Sequence, residues 1–228
     1  WVEKSIMSAL NQDYENLEVI AVDNESTDKT YSILEKIKKD NNQLILLTAE
    51  NIYPNCWDEA RAEAYKVLSG DYFTVIGSDD YIESSYISNC MEIIMKAPDK
   101  ILAMQSPLMG IEGDTNALRG VIEHHYSSLK NFKEQSLNKC LVNSTTVVYN
   151  TSLLKDGLLK TNPEKYGGAA DYDLYCSLAD NGIMIYPFPR WIGFYYRWHK
   201  DQATWKVHKE AKNYDKMIQD YWREKWKS

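Results

Sequence analysis

Two adjacent carboxylates, Asp79 and Asp80, follow an apolar run at 72–76 with the length and β-rich composition of a buried strand. Gly77 breaks that run. In open α/β sheets, ligands sit outside the carboxyl ends of the strands. Paired carboxylates beside a turn suit a hard divalent cation that leaves part of its coordination to a substrate phosphate. The plain alternative is a solvated Ser-Asp-Asp turn. Two further acidic clusters stand at the ends of apolar elements: Asp23, followed by Asn24, after a strand at 17–22, and Asp171 with Asp173 at the start of a helix. In a parallel sheet the first two loops emerge at one edge. One acid group could then bind a nucleotide, one a metal, and one take a proton. Singly, Asp23 could only make an Asx-turn, and Asp171 could only complement a helix N-terminus, worth about 0.3–1 kcal/mol.

The elements that must position these acids are legible as periodicity. Helices are predicted at 2–10, 54–68 (Trp57, Ala60, Ala64 and Val67 on its core stripe) and 171–179. Ser26 or Thr27 should cap a helix with Tyr31, Leu34 and Ile37 on one face, and Ser84 or Ser85 one carrying Ile87, Met91, Ile94 and Met95. Strands are expected at 17–22, 43–48, 72–76, 101–105, 183–186 and 192–197, with a β-rich segment at 142–149 and a loop at Gly167-Gly168. The polar stretch 112–138, with His124 and His125, reads as an irregular insertion containing at most a short helix. The tail from about 203 to 226 reads as a Lys- and Trp-rich helix. Strand–helix alternation with strands apolar on both faces predicts βαβ units and a mostly parallel sheet sandwiched by helices.

Composition bounds the function. The 228 residues are 44% hydrophobic and 26% charged, as in a soluble globular protein of one large domain or two small ones. A net charge of −7 argues against a broad nucleic-acid face. Cys56, Cys90, Cys140 and Cys176 lie far apart, with no zinc spacing and no disulfide framework, which fits a cytoplasmic protein. No apolar stretch reaches the roughly 18 residues of a membrane span. Helical spacing from Val2 onward implies a chain that starts inside a helix, with something upstream removed.

Three ordered segments carry a resemblance: Ser5-Ile-Met-Ser-Ala-Leu-Asn-Gln-Asp-Tyr14, Glu18-Val-Ile-Ala-Val-Asp-Asn-Glu-Ser-Thr-Asp-Lys-Thr30, and Gly70-Asp-Tyr-Phe-Thr-Val-Ile-Gly-Ser-Asp-Asp80. With Asp171-Tyr-Asp-Leu174 and Tyr196-Arg-Trp-His199, they resemble successive motifs of family 2 glycosyltransferases. The resemblance implies a Rossmann-like GT-A fold whose first strand is missing from this chain. It implies a donor-binding half at 1–110, an acceptor-binding and catalytic half at 111–204, and a helical tail at 205–228, in one continuous domain. It also implies transfer of a sugar from a nucleotide diphosphate, a UDP-sugar first among donors, to a hydroxyl of a glycan, lipid-linked or other acceptor, with inversion. Asp80, Asp79 and His199 would hold Mn²⁺ or Mg²⁺. Asp23, Asn24, Asp79 and Arg197 would bind the donor, and Asp171, or alternatively Asp173, would be the base. Trp198 and Trp205 are the candidate acceptor platforms. The tail could touch a membrane surface, placing the protein in the cytoplasm or peripherally on the inner face of the membrane.

Departures are specific. The loop Asp23-Asn-Glu-Ser26 stands where relatives commonly have Asp-Asp-Gly-Ser. Ser78 replaces another acid, and Ala170 replaces a Glu that commonly precedes the base. The rival readings are a non-catalytic sugar- or nucleotide-binding module of the same fold and a sugar-phosphate nucleotidylyltransferase.

Overall fold

The structure is a computed structural model that describes residues 1–52, 56–188, 191–202 and 212–227, with the side chains of Cys56 and Trp57 excepted. The N-terminal layer pairs β1 (Val19–Asp23) with β2 (Leu44–Thr48) in parallel, Asp23 opposite Thr48. Helices α1 (Val2–Leu10) and α2 (Thr30–Asp40) cover this pair. Their Ile6, Leu10, Leu34 and Ile37 close a core on Val19, Ala21 and Leu44. The stripe on α2 differs from the sequence expectation: Tyr31 is 37% exposed and Ile33 packs inward instead. Neither Ser26 nor Thr27 caps it. The helix follows Lys29, and the Thr30 N–H is taken by Asp28 Oδ1.

Helix α3 (Cys56–Val67) leads to β3 (Tyr72–Thr74). This strand is shorter and less buried than expected, with Val75 39% exposed, because Gly77 and the acid pair already turn the chain. Next come β4 (Tyr81–Ile82), α4 (Tyr86–Ile94), β5 (Ala103–Gln105), β6 (Leu108–Glu112), β7 (Ala117–Ile122) and α5 (Leu129–Ser136). Ser85 precedes α4 without a side-chain capping bond. After these lie β8 (Val148–Asn150), α6 (Ser152–Lys155), α7 (Pro163–Tyr166), α8 (Ala170–Asp180), β9 (Ile185–Pro187), β10 (Phe194–Trp198) and α9 (Tyr214–Lys225). Of the expected tail helix, 203–211 lies outside the described residues.

Two four-stranded sheets follow, in the orders β3-β8-β5-β9 and β4-β10-β6-β7. The sheets are mixed rather than mostly parallel: three ladders are parallel and four antiparallel among the described residues. Each antiparallel ladder includes at least one strand after the acid pair, and of the four only β6–β7 is a hairpin.

That hairpin is the main correction to the stretch 112–138. Its tip bends through Gly113 (φ +30°) and Asn116 (φ +55°). All six residues of β7 are exposed at the sheet edge, so they carry no inward apolar alternation for a sequence reading to detect.

The tail closes the other end. Ile218 and Trp222 of α9, four residues apart, are buried with Tyr166, Tyr172 and Cys176. Trp222 Nε1 donates to Asp173 Oδ1 at 2.8 Å and Trp226 Nε1 to Asp180 Oδ1 at 2.9 Å. The apolar stripe that could have met a membrane is therefore packed on α8. Trp222→Ala is expected to cost about 3–5 kcal/mol of unfolding free energy, because a large buried ring leaves a cavity; urea denaturation measures it. No helix among the described residues is long and apolar enough to cross a membrane.

Candidate active site

The acid pair is held by its neighbours on three sides. Ser5 Oγ donates to Gly77 O at 2.9 Å, and the Ile82 N–H donates to Ser8 Oγ at 3.2 Å, so α1 grips both ends of the turn. Asp80 N–H closes it onto Gly77 O at 3.1 Å. A Cβ on Gly77 would lie 2.8 Å from Asp79 Oδ1 and 3.1 Å from Asp80 Oδ2, so only glycine leaves room for both carboxylates.

Asp80 is 3% exposed. Its Oδ1 accepts from the Arg197 N–H at 2.9 Å and its Oδ2 from Thr145 Oγ1 at 3.4 Å. Burial first, and the Asp79 charge second, push its carboxyl up to about 8. Asp79 Oδ2 lies 2.9 Å from His199 Nε2. Among the described residues no three His, Cys, Asp or Glu side chains converge as a closed metal cage. The donor set instead fits a cation held by one or two carboxylates, with phosphate oxygens supplying further ligands.

Asp23 lies 5% exposed at the end of β1. Its Oδ2 accepts from the Ser26 N–H at 3.1 Å, while its Oδ1 is buried without a hydrogen-bond partner. Asn24 Nδ2 donates to Ala49 O at 3.1 Å and Glu50 O at 2.8 Å, tying its loop to the end of β2. Glu25 sits at φ +53°, where a glycine is free of the roughly 1–2 kcal/mol left-handed cost. Its carboxylate accepts the Asn51 N–H at 3.1 Å, a fixing contact that glycine lacks.

Asp171 and Asp173 are parted by the helix they begin. Asp173 faces α9 and holds Trp222. Asp171 faces a cleft of about 330 Å³ that is also lined by Arg61, Tyr65, Ser144, Lys160 and Tyr175. Asp171 Oδ1 accepts from the Tyr172 N–H at 2.8 Å, and Ser144 lines the same cleft. Burial nevertheless raises its pKa above the ordinary carboxylate range. A larger hollow of about 450 Å³ beside Asp99, Ser128 and Tyr186 contains none of these acids.

One element joins the acid pair to Asp171, and the sequence reading missed it. The expected strand 142–149 begins as a 3₁₀ turn, Ser144–Thr146. Thr145 bonds Asp80, and the adjacent Ser144 lines the cleft with Asp171. Asn143 anchors the turn through Nδ2 to Ser106 O (3.3 Å) and Ile122 O (3.1 Å), and Tyr86 Oη donates to Thr146 O at 3.0 Å. The signal was present: four successive Asn, Ser and Thr residues interrupt an apolar run, and such side chains compete with sheet ladders. Arg61, across the cleft from Asp171, carried no signal of its own.

Of the remaining expected site residues, Arg197 is 2% exposed and bonds protein groups, with Nε donating to Asp79 O at 2.8 Å. Trp198 alternates to the opposite face of β10. There its indole fits the notch at Gly110, and Arg119 lies 5.3 Å over the ring. Trp205 lies outside the described residues.

These strands and helices define a GT-A-type α/β fold, and comparison with solved structures agrees. S. aureus TarS in complex with UDP-GlcNAc superposes with a TM-score of 0.66 at 21% identity, over 93% of this chain and 58% of that one. The Pyrobaculum calidifontis mannosyltransferase PcManGT, with GDP-Man and Mn²⁺, gives 0.64 at 17% identity, over 96% and 64%. The profile described as Glycosyl transferase family 2 matches residues 1–158, and the chain belongs to that family. Among curated relatives, the Escherichia coli UDP-Glc:alpha-D-GlcNAc-diphosphoundecaprenol beta-1,3-glucosyltransferase WfaP is 28% identical over 90% of this chain and 75% of its own length. The Methanococcus voltae dolichyl N-acetyl-alpha-D-glucosaminyl phosphate 3-beta-D-2,3-diacetamido-2,3-dideoxy-beta-D-glucuronosyltransferase is 26% identical over 86% of this chain and 63% of its own length. The chain thus spans only part of each relative.

Proposed function

We propose that this chain catalyses inverting, cation-assisted transfer of a hexose from a UDP-sugar to a hydroxyl of a lipid-linked glycan, in polysaccharide assembly. The observation that carries this reading is the Ser144–Thr146 turn, whose Thr145 bonds Asp80 while the adjacent Ser144 lines the cleft that Asp171 faces. The relatives' lipid-diphosphate and lipid-phosphate acceptors and the neighbours' nucleotide-sugar complexes support the substrate class.

In this mechanism residues 1–110 hold the donor. The unpartnered Asp23 Oδ1 accepts from the base, and Asn24 fixes the loop around it. Asp80 and Asp79 would hold Mn²⁺ or Mg²⁺, with His199 steadying Asp79, and the cation when bound supplies charge stabilisation for the leaving diphosphate. Residues 111–204 carry the acceptor side. Asp171 takes the acceptor hydroxyl's proton as the oxygen attacks the anomeric carbon and the bond to the diphosphate breaks on the opposite face. Trp205 is the proposed acceptor contact, because the Trp198 indole is taken up by the Gly110 notch and Arg119. Residues 205–228 brace α8. The acceptor's lipid would hold the protein at the cytoplasmic face of a membrane, where Met217 and Tyr221 are exposed on the outer side of α9.

Incubation with UDP-glucose, UDP-GlcNAc and GDP-mannose, with and without Mn²⁺, tests the reading through nucleoside diphosphate release. Release from a UDP-sugar in Mn²⁺ is expected; saturable binding without release would mark a binding module. Gly77→Ala should weaken Mn²⁺-dependent donor binding about tenfold by crowding the carboxylates, equivalent to about 1.4 kcal/mol. Its urea midpoint, read alongside, should stay near the parent's.

A further inference from the structure

The tip of the β6–β7 hairpin is wired to the acid pair through one buried cation. Arg197 Nη1 donates to Asn116 Oδ1 at 2.8 Å and to Gly113 O, while Nε reaches Asp79 O and the backbone N–H reaches Asp80 Oδ1. The Gly113 N–H returns a bond to Trp198 O at 2.8 Å, so the tip is held from both sides of residue 197. A second link runs through Asp114, which accepts from Trp1 Nε1 at 2.7 Å. The Trp1 ring lies 4.3 Å from the His199 ring, and His199 is the partner of Asp79. Both links begin within the four residues of the hairpin tip and end on the two carboxylates.

We infer that residues 113–116 set the position of Asp79 and Asp80, with Arg197 as the positioning residue that couples them rather than a contact to the donor. The physical reason is the guanidinium's fixed fork. Its Nε and Nη1 directions are set together, so holding Nη1 on the tip aims Nε at the backbone of Asp79. A displacement of the tip therefore reaches the carboxylates without passing through solvent. The metal readout below rests on the proposed function; the coupling itself does not.

Asn116→Gly removes only the Oδ1 acceptor and keeps a residue at ease with positive φ. Arg197→Lys keeps the charge but loses the fork. Leu118→Ser, 68% exposed on β7 and outside the tie, is the control. Hydrogen exchange over peptides covering 79–82 and 194–199 reads the coupling, and Mn²⁺ affinity in the presence of UDP, by electron paramagnetic resonance, reads its consequence. Asn116→Gly and Arg197→Lys should each raise exchange in both peptides and weaken Mn²⁺ binding about tenfold, the size of a lost charge-assisted hydrogen bond. Leu118→Ser should change neither. Parent-like exchange and affinity in both variants would overturn the inference. Raised exchange with a parent that binds no Mn²⁺ would uphold the coupling and overturn the metal role instead.

Discussion

Asp171→Asn should bind the donor as the parent does and lower kcat by about 10²–10⁴-fold, the usual contribution of a positioned general base. The substitution is nearly isosteric. It keeps an oxygen for the Tyr172 N–H, 2.8 Å away in the parent, and removes only the ability to accept a proton. The pH profile carries the same prediction with a definite sign. Burial raises the pKa of Asp171, and the base works ionised, so the acid limb of kcat must lie above the ordinary carboxylate value of about 3.9. The neighbouring Ser144 hydroxyl favours the ionised form, and Ser144→Ala should move that limb to higher pH. Turnover unchanged in Asp171→Asn would pass the role to another group. Asp173 is poorly placed for it, since its carboxylate is bonded to Trp222.

Asp80→Asn should abolish cation-dependent transfer, by about 10³-fold, the several kcal/mol that a bound Lewis acid supplies. It should also stabilise the metal-free protein. Asp80 is pushed up to about 8 in the fold, above its unfolded value near 3.9. Between these values the folded state binds the extra proton, so stability falls as pH rises through the window, and above about 8 the buried charge opposes folding in full. Asn removes that cost and can still accept from the Arg197 N–H and donate to Thr145. Without metal, the variant should therefore exceed the parent in urea resistance at pH 8 by an amount on the order of a few kcal/mol, and by much less at pH 5. A variant less stable than the parent at both pH values would contradict a net cost for burying the Asp80 charge.

The acids announced themselves because strand ends and helix starts are punctuated by residue type. Asp23, Asp79, Asp80 and Asp171 all fall where apolar periodicity breaks, and the structure leaves them at the end of β1, in the turn that leads into β4 and at the start of α8. The helices were legible for the same reason, with Leu34 and Ile37 inward on α2. What the sequence concealed is long-range or locally inconsistent. Strand β7 has no buried face, so its pattern is silent. The Ser144–Thr146 turn sits inside a run that reads as β. Which of Asp171 and Asp173 faces the cleft depends on Trp222, 49 residues from Asp173. The burial of Arg197 depends on a hairpin tip whose φ angles no periodicity predicts.

The most direct test of the account is the anomeric configuration of the sugar released when the protein hydrolyses an α-linked UDP-sugar in Mn²⁺, followed from the first minutes by proton NMR. A single displacement predicts that the β-sugar appears first, together with UDP, in the parent and not in Asp171→Asn. An α-sugar appearing first, or equal release by Asp171→Asn, would contradict it.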